Sequence, residues 1–357
     1  MTIRVEDDPV AEPSPVSGGL DAPPDHAAVA WRHRHLLDVD VLTETDLDLV
    51  MRTTDAMREV LTRPIAKVPA LRGKQVTILF YEASTRTRVS FEVAAKNLSA
   101  DVVNIAAATS SVSKGESLVD TVRTVEALGA QMLVMRHSVS GAPYLAAEIF
   151  GGSVLNGGDG WHAHPTQALL DLYTMRERLP GGSLAGRKVA ILGDVLHSRV
   201  ARSNIWTLTA AGADLWLCGP ATLLRGFEAW AARGAAGRRF HVTASVDEAL
   251  RDADVVMALR IQRERMSAGL LPSLREYAAR YGLTRDRLAM ARPDPLVAPV
   301  TAATLPAKEP PWALVFDIML PLNENVRDRN RRYGVRQRSG PGPKRPSPWC
   351  AIVGATS

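Results

Sequence analysis

The sequence predicts an α/β protein built from two doubly wound parallel-sheet domains. Three observations carry this. Short apolar, β-branched runs alternate with helical stretches along most of the 357 residues, the pattern of a parallel sheet covered on both faces. That length is enough for two domains with separate cores. The alternation also restarts after a glycine break, Gly181-Gly182 and Gly186.

Residues 1–33 hold Pro9, Pro13, Pro15, Pro23 and Pro24 with few large apolar groups, and are expected to be a disordered arm. Order should begin near Leu36. Thr43 to Leu61 opens on Thr43-Glu44-Thr45-Asp46 and carries Leu47, Leu49, Val50, Met57 and Val60, an amphipathic helix. Gly73-Lys74 turns into a strand at Val76–Phe80, followed by a helix over Val89–Leu98. Then come a strand at Val102–Ile105, a polar loop at Thr109–Ser117 and a helix at Leu118–Leu128. A strand at Gln131–Met135, a helix at Ala142–Phe150 and a short strand at Ser153–Asn156 complete the first set. The long helix Ala168–Leu179 should cross into the second. There, strands are expected at Val189–Gly193, Ala213–Cys218, His241–Thr243 and Val255–Arg260, with helices at Val200–Ala211 and Val246–Arg251. The predicted division is therefore 34–167 and 168–297, then a segment 298–333 that ends in a possible closing helix, then a tail 334–357.

Composition excludes several classes. No apolar run approaches the roughly 20 residues of a membrane span, and the acidic, proline-rich start is not a secretory signal. Cys218 and Cys350 make neither a disulfide framework nor a metal set, which points to a reducing cytoplasm. Residues 298–357 hold nine Lys/Arg against four Asp/Glu, while residues 1–297 balance at 34 of each. The net charge of +5 thus belongs to a solvated basic tail rather than to a nucleic-acid surface.

The chain is organised around Phe80-Tyr81-Glu82-Ala83-Ser84-Thr85-Arg86-Thr87-Arg88. A buried strand precedes it and a helix follows. The hydroxyls of Ser84 and Thr85 sit at the expected N-cap. Arg86 and Arg88 lie in a first turn, where cations oppose the helix dipole unless something negative binds there. Free N–H groups, hydroxyls and guanidinium groups at a strand-to-helix turn make a phosphate site.

Ligands of parallel sheets gather outside the carboxyl ends of the strands. That rule brings several further candidates to one rim. Arg136 ends an apolar strand. The Gly157-Gly158 loop leads to His164 and Gln167, which share a helix face and could both donate to a carbonyl oxygen. Asp194 to Arg199 follows the strand at Val189, but lacks the G-x-G-x-x-G of a dinucleotide loop, and Arg199 suits a carboxylate. Arg260 and Gln262 point the same way from a strand end, whereas Arg263 and Arg265 read as solvated helix charges. The loop around Ser110 and Lys114 could carry an ammonium to an anion. His162 and His164 suggest a metal only weakly, because no ligand set completes one. This inventory of donors and cations holds a phosphate and carboxylates, and would catalyse by positioning and by stabilising developing negative charge.

With these pieces in place the chain is similar to the aspartate/ornithine carbamoyltransferase family, on its aspartate branch. FYEASTRTRVSF (80–91), SSVSKGE (110–116), MRH (135–137), NGGDGWHAHPTQALLD (156–171), GDVLHSRVARSN (193–204) and RIQRE (260–264) stand in family order. The resemblance implies two α/β domains with the active site between them, assembled as homotrimers whose sites are shared between subunits. It implies transfer of the carbamoyl group of carbamoyl phosphate to L-aspartate, a step of pyrimidine biosynthesis. Ser84, Thr85, Arg86 and Thr87 would hold the phosphate, and Arg136 would bridge phosphate and carbonyl. His164 and Gln167 would bind the carbamoyl end, with Ser110 and Lys114 reaching in from the next chain. Lys114, Arg199, Arg260 and Gln262 would bind aspartate. Arg86, Thr87, Lys114, Arg136 and His164 would act in catalysis. No cofactor and no metal are implied; regulatory or dihydroorotase subunits are conceivable partners, nucleic acid and membrane are not. The ornithine branch carries a Ser-Met-Gly loop and a His-Cys-Leu-Pro segment that do not occur here. Where the family has His-Pro-x-Pro, this chain reads Arg292-Pro293-Asp294-Pro295. That difference keeps two alternatives open: another amino-acid acceptor, or a degenerate paralogue that binds carbamoyl phosphate without turnover.

Overall fold

Strand order decides where this fold can bind a ligand. The computed structural model describes residues 31–106, 115–266, 269–271, 273–291 and 296–299. The expected arm up to residue 30, Ser110, Lys114, residues 292–295, the closing segment and the basic tail with Cys350 lie outside the described residues.

The first half runs α1 (Glu44–Leu61), β1 (Gln75–Phe80), α2 (Thr85–Asn97), β2 (Asp101–Ala106), α3 (Leu118–Ala127), β3 (Met132–His137), α4 (Ala142–Ile149) and β4 (Ser153–Asp159). Its strands are parallel and ordered β2-β1-β3-β4. The long helix α5 (Pro165–Arg178) follows.

The second half runs β5 (Lys188–Leu192), α6 (Arg199–Ala210), β6 (Asp214–Cys218), α7 (Ala221–Leu224), α8 (Phe227–Arg233), β7 (His241–Thr243), α9 (Val246–Leu250), β8 (Val255–Ala258), α10 (Leu274–Tyr281), α11 (Arg285–Leu288) and β9 (Leu296–Pro299). Its order is β7-β6-β5-β8-β9, again parallel.

Both sheets are wound in two directions from their first strand. The chain leaves β1 toward β2 and returns to the other side as β3. It leaves β5 toward β6 and β7 and returns as β8. Each sheet therefore has a switch point, between β1 and β3 and between β5 and β8, where connections diverge and a crevice opens at the carboxyl ends. Except for the 110–116 stretch, which comes after β2, every motif singled out in the sequence follows one of these strands or β4.

Burial explains the continuous apolar runs. Ile78, Leu79, Leu133 and Met135 in one sheet, and Val189, Ile191, Val255 and Val256 in the other, are inaccessible to water, as strands covered on both faces must be. Leu47 and Met51 of α1 and Leu169, Leu172 and Tyr173 of α5 pack in one cluster with Val189, Ile191 and Leu215. The first described helix thus helps cover the second sheet. α1 starts with a full capping box, Thr43 and Asp46 exchanging side-chain acceptors for backbone N–H groups.

Four sequence expectations need correction. Ser84 does stand at the N-cap of α2, but its side chain caps no backbone N–H, and Thr85 is already helical. The Ser84 hydroxyl donates to Thr87 Oγ1 at 3.0 Å instead. The segment Gly157-Gly158 is not a loop: β4 continues through it to Asp159. Leu296–Pro299, which continues the Arg292–Pro295 segment read as an altered family loop spanning 292–299, pairs in parallel with β8. Arg263–Arg265 form a short 3-10 turn rather than a helix.

Candidate active site

Backbone pairing sets the site before any side chain is considered. Phe80 of β1 lies opposite Arg136 of β3, and the Tyr81 N–H donates to the Arg136 carbonyl at 2.8 Å. The residue after Tyr81 is Glu82. It leaves the first switch point beside Arg136, and Arg136 Nη2 donates to Glu82 Oε1 at 2.7 Å.

Glu82 also reaches the second half of the chain. Arg199, the first residue of α6, donates Nη1 to Oε2 and Nη2 to Oε1, both at 3.0 Å. This two-pronged geometry suits a guanidinium on a carboxylate. Arg265 donates Nη2 to Oε1 at 3.3 Å and Nη1 to the His197 carbonyl at 3.2 Å. Three guanidinium groups therefore converge on one carboxylate at the junction of the two switch points. Arg136 and Arg199 are buried and Arg265 nearly so. Although burial opposes it, the arginine bonds hold the Glu82 carboxyl below its ordinary range. One carboxylate cannot neutralise three cations, and the surplus positive charge favours anionic ligands.

β4 closes the other side. The Gly157 carbonyl accepts from Arg136 Nη1 at 3.2 Å. Gly158 has a φ of +111°, and a Cβ there would stand 2.9 Å from Arg199 Cζ and 3.1 Å from His164 Cδ2. Only a glycine lets Arg199 and His164 approach the strand this closely. His164, the N-cap of α5, is buried, and its backbone N–H donates to Ser203 Oγ of α6 at 3.0 Å. Burial first, then the charges of Arg199, Arg136 and Arg265, push its imidazole far below 6.5. It is neutral at pH 7, with one N–H to give and one lone pair to accept. Burial, and next the charge of Arg199, push the Arg136 guanidinium down to about 10, so it stays cationic near neutrality.

The predicted residues fall into two groups. The structure brings Arg136, His164 and Arg199 together around Gly157 and Gly158. Thr87 is buried and accepts from Ser84, which leaves its own O–H to donate. Thr85, Arg86 and Arg260 are exposed. Arg86 has no ion-pair partner among the described residues, and Arg260 leans on its own neighbour, Nη1 lying 3.4 Å from the Ile261 carbonyl. The Gln262 side chain is half-buried, and its backbone N–H is held by Asp194 Oδ2 at 3.1 Å. Gln167 donates Nε2 to Asp171 Oδ1 at 3.0 Å rather than into the site. Among the described residues no cluster of His, Cys, Asp and Glu is arranged to hold a metal ion.

The family model for the aspartate/ornithine carbamoyltransferase carbamoyl-phosphate-binding domain matches residues 34–177, and that for the Asp/Orn-binding domain matches 185–298. The chain belongs to the aspartate/ornithine carbamoyltransferase family. Within it, the chain is 57% identical over 266 residues to the aspartate carbamoyltransferase catalytic subunit of Roseiflexus sp. (strain RS-1), covering 74% of this chain and 82% of that one. It is 58% identical over 256 residues to that of Chloroflexus aurantiacus (strain J-10-fl), covering 72% and 82%. Among solved structures, Trypanosoma cruzi aspartate transcarbamoylase in complex with carbamoyl phosphate and aspartate aligns with a TM-score of 0.66 at 26% identity, over 79% of this chain and 94% of that one. The same enzyme in complex with N-(phosphonacetyl)-L-aspartic acid aligns with a TM-score of 0.67, over 80% and 94%.

Sequence reasoning missed two members of this carbamoyltransferase site. Glu82 lay inside the central motif, yet only the hydroxyls and arginines beside it drew attention. The signal was available: a charge at the carboxyl end of a buried strand, the same argument that found Arg136. Arg265 was expected to be solvated, but its guanidinium is drawn inward to Glu82 from 183 residues away. Nothing local in the sequence marks that reach.

The His164 shift has a measurable consequence. The unfolded chain takes up a proton near pH 6.5, while the native imidazole resists it until far lower pH. Native stability should therefore fall as pH drops below 6.5, by up to about 1.4 kcal/mol per pH unit from this group. The wild-type minus His164→Asn difference in unfolding free energy, measured by denaturant titration from pH 8 to 5, should be flat above 6.5 and decline below it. A flat difference throughout would contradict the buried neutral imidazole.

Proposed function

We propose that this chain transfers the carbamoyl group of carbamoyl phosphate to the amine of L-aspartate, giving N-carbamoyl-L-aspartate and phosphate. The observation that carries the reading is the convergence of Arg136, Arg199 and Arg265 beside neutral His164, where both switch points meet. Two anionic reactants require such surplus positive charge. The relatives named above carry the same activity in their names.

In this reading Ser84, Thr85, Arg86 and Thr87 cradle the phosphate at the first turn of α2, where Ser84 spends no acceptor on the backbone N–H groups. Arg136 spans phosphate and carbonyl, and His164 with Gln167 fixes the carbamoyl end. Arg199, Arg260 and Gln262 take the aspartate carboxylates. The amine lone pair attacks the carbonyl carbon, a C–N bond forms and the carbonyl oxygen gains charge. Arg136, His164 and Thr87 hold that oxygen. The C–O bond to phosphate then breaks, and the amine gives up its proton to the departing phosphate. Ser110 and Lys114, outside the described residues, would enter from a neighbouring copy, which makes a homotrimer the working unit. No described helix is long and apolar enough to cross a membrane; the cytoplasm is the compartment we assign. A domain division near residue 168 fits the two sheets, β1–β4 before it and β5–β9 after it.

Purified protein given carbamoyl phosphate and a panel of amino acids should release phosphate with aspartate and form N-carbamoylaspartate. No product with aspartate, despite phosphate binding, would overturn the assignment. Arg86→Ala should weaken carbamoyl phosphate binding by about 1.5–3 kcal/mol, the worth of one charge-assisted hydrogen bond. Unchanged affinity in a calorimetric titration would remove Arg86 from the phosphate site.

A further inference from the structure

Trp161 is a large aromatic side chain near the site that the mechanism leaves unused. It is 44% exposed, although its backbone is firmly set. Its N–H donates to Ser140 Oγ at 3.2 Å. The preceding Gly160 has a φ of +43° and passes so close to Ser140 that a Cβ would lie 2.3 Å from that hydroxyl. The Gly160 carbonyl accepts from Arg199 Nη1 at 3.2 Å. Behind this turn, buried Asp159 accepts from the N–H groups of Gly141 and Ala163 and from Asn156. The indole is held out from the β4–α5 connection by a rigid frame.

It meets His197 of the β5–α6 connection, edge to face, with ring centroids 4.8 Å apart and planes at 84°. His197 is almost wholly buried. Its Nδ1 lies 2.8 Å from Asp194 Oδ1, and its backbone N–H bonds the same oxygen at 3.3 Å. The other Asp194 oxygen holds the Gln262 N–H at 3.1 Å. The His197 carbonyl accepts from Arg265. His197 is therefore a node: its carbonyl holds Arg265, and its imidazole bonds the Asp194 carboxylate that holds Gln262, both belonging to the second sheet's half of the site.

We propose that Trp161 is a positioning residue for the amino-acid acceptor: its indole clamps His197 from the first half of the chain, and so sets the turn that presents Gln262 and Arg265. The clamp is apolar and directional, so it adds rigidity without competing for anions. This inference rests on the carbamoyl transfer proposed above only for the identity of the acceptor.

The test compares Trp161→Ala and Trp161→Phe with wild type. The alanine variant should raise KM for aspartate about tenfold, the size of effect expected for one lost aromatic pair, and leave carbamoyl phosphate affinity within twofold. Phenylalanine, which restores an edge-to-face ring, should recover most of the loss. Hydrogen exchange on ligand-free protein should be faster in Trp161→Ala across 194–200 and 260–266, with α5 unchanged. The inference fails if both substrates weaken together, if phenylalanine is no better than alanine, if exchange in those two segments is unaltered, or if the KM change comes with subunit dissociation. If wild type makes no carbamoylaspartate, the functional reading falls, and the exchange result alone decides the clamp.

Discussion

Arg136→Ala is expected to lower kcat by about 10²–10³-fold, the range for removing one preorganised donor from a developing oxyanion. Arg136 is the penultimate residue of β3 at the first switch point and is fixed from two sides, by the Gly157 carbonyl and by Glu82. It reaches the reaction already oriented, which is what gives a donor its leverage. Its Nε has no hydrogen-bond partner among the described residues, so this guanidinium still has donor capacity to give. Truncation should cost the fold less than the reaction. Glu82 keeps Arg199 and Arg265, and the surrounding β1 and β3 contacts are apolar. Arg136→Lys keeps a charge but loses the planar fork, and should recover only part of the rate. Steady-state kinetics beside a thermal melt separate the two effects. A kcat within threefold of wild type would take Arg136 out of the chemistry.

The fold was legible because two signals agreed. Buried parallel strands must be apolar throughout, so β1, β3, β5 and β8 stood out as short runs. The connections between them carried helix starts. The site was legible where a charge directly followed such a run, as with Arg136. It was illegible where a side chain acts at long range. The sequence offers no reason for Arg265 to turn toward Glu82, because the turn depends on both sheets placing their switch points face to face. Ser84 shows a subtler failure. Its identity as N-cap was correct, but the hydroxyl is drawn to Thr87, and propensity cannot distinguish a serine that caps the backbone from one that bonds a side chain in the first turn. Gly157 and Gly158 misled in the opposite direction. Paired glycines usually mark a turn; here they continue β4, and at Gly158 Arg199 and His164 take the room that a side chain would fill.

Glu82→Ala is the sharper test of how the two halves act as one site. The carboxylate is the only acceptor that Arg136, Arg199 and Arg265 share among the described residues. Without it, three like charges face each other across the junction, and repulsion should open the cleft rather than merely loosen it. Each charge-assisted bond is worth about 1.5–3 kcal/mol, but bonds to one group are not additive. We therefore expect a loss near 10²-fold in kcat/KM for aspartate, a single such bond at the upper end of that range. Glu82→Gln keeps the shape and one acceptor and should fall between. Acid should mimic the loss only late. The arginines hold the carboxyl below its ordinary 4.5, so the clasp's contribution is complete above that pH and disappears as pH falls through the lowered native value. Coupling separates a clasp from three independent contacts. In a double-mutant cycle, Arg199→Ala and Arg265→Ala, which meet through Glu82, should show an interaction energy of about 0.5–3 kcal/mol in kcat/KM. Strictly additive losses would mean that Glu82 holds each arginine separately, and that the two switch points do not depend on one another through it.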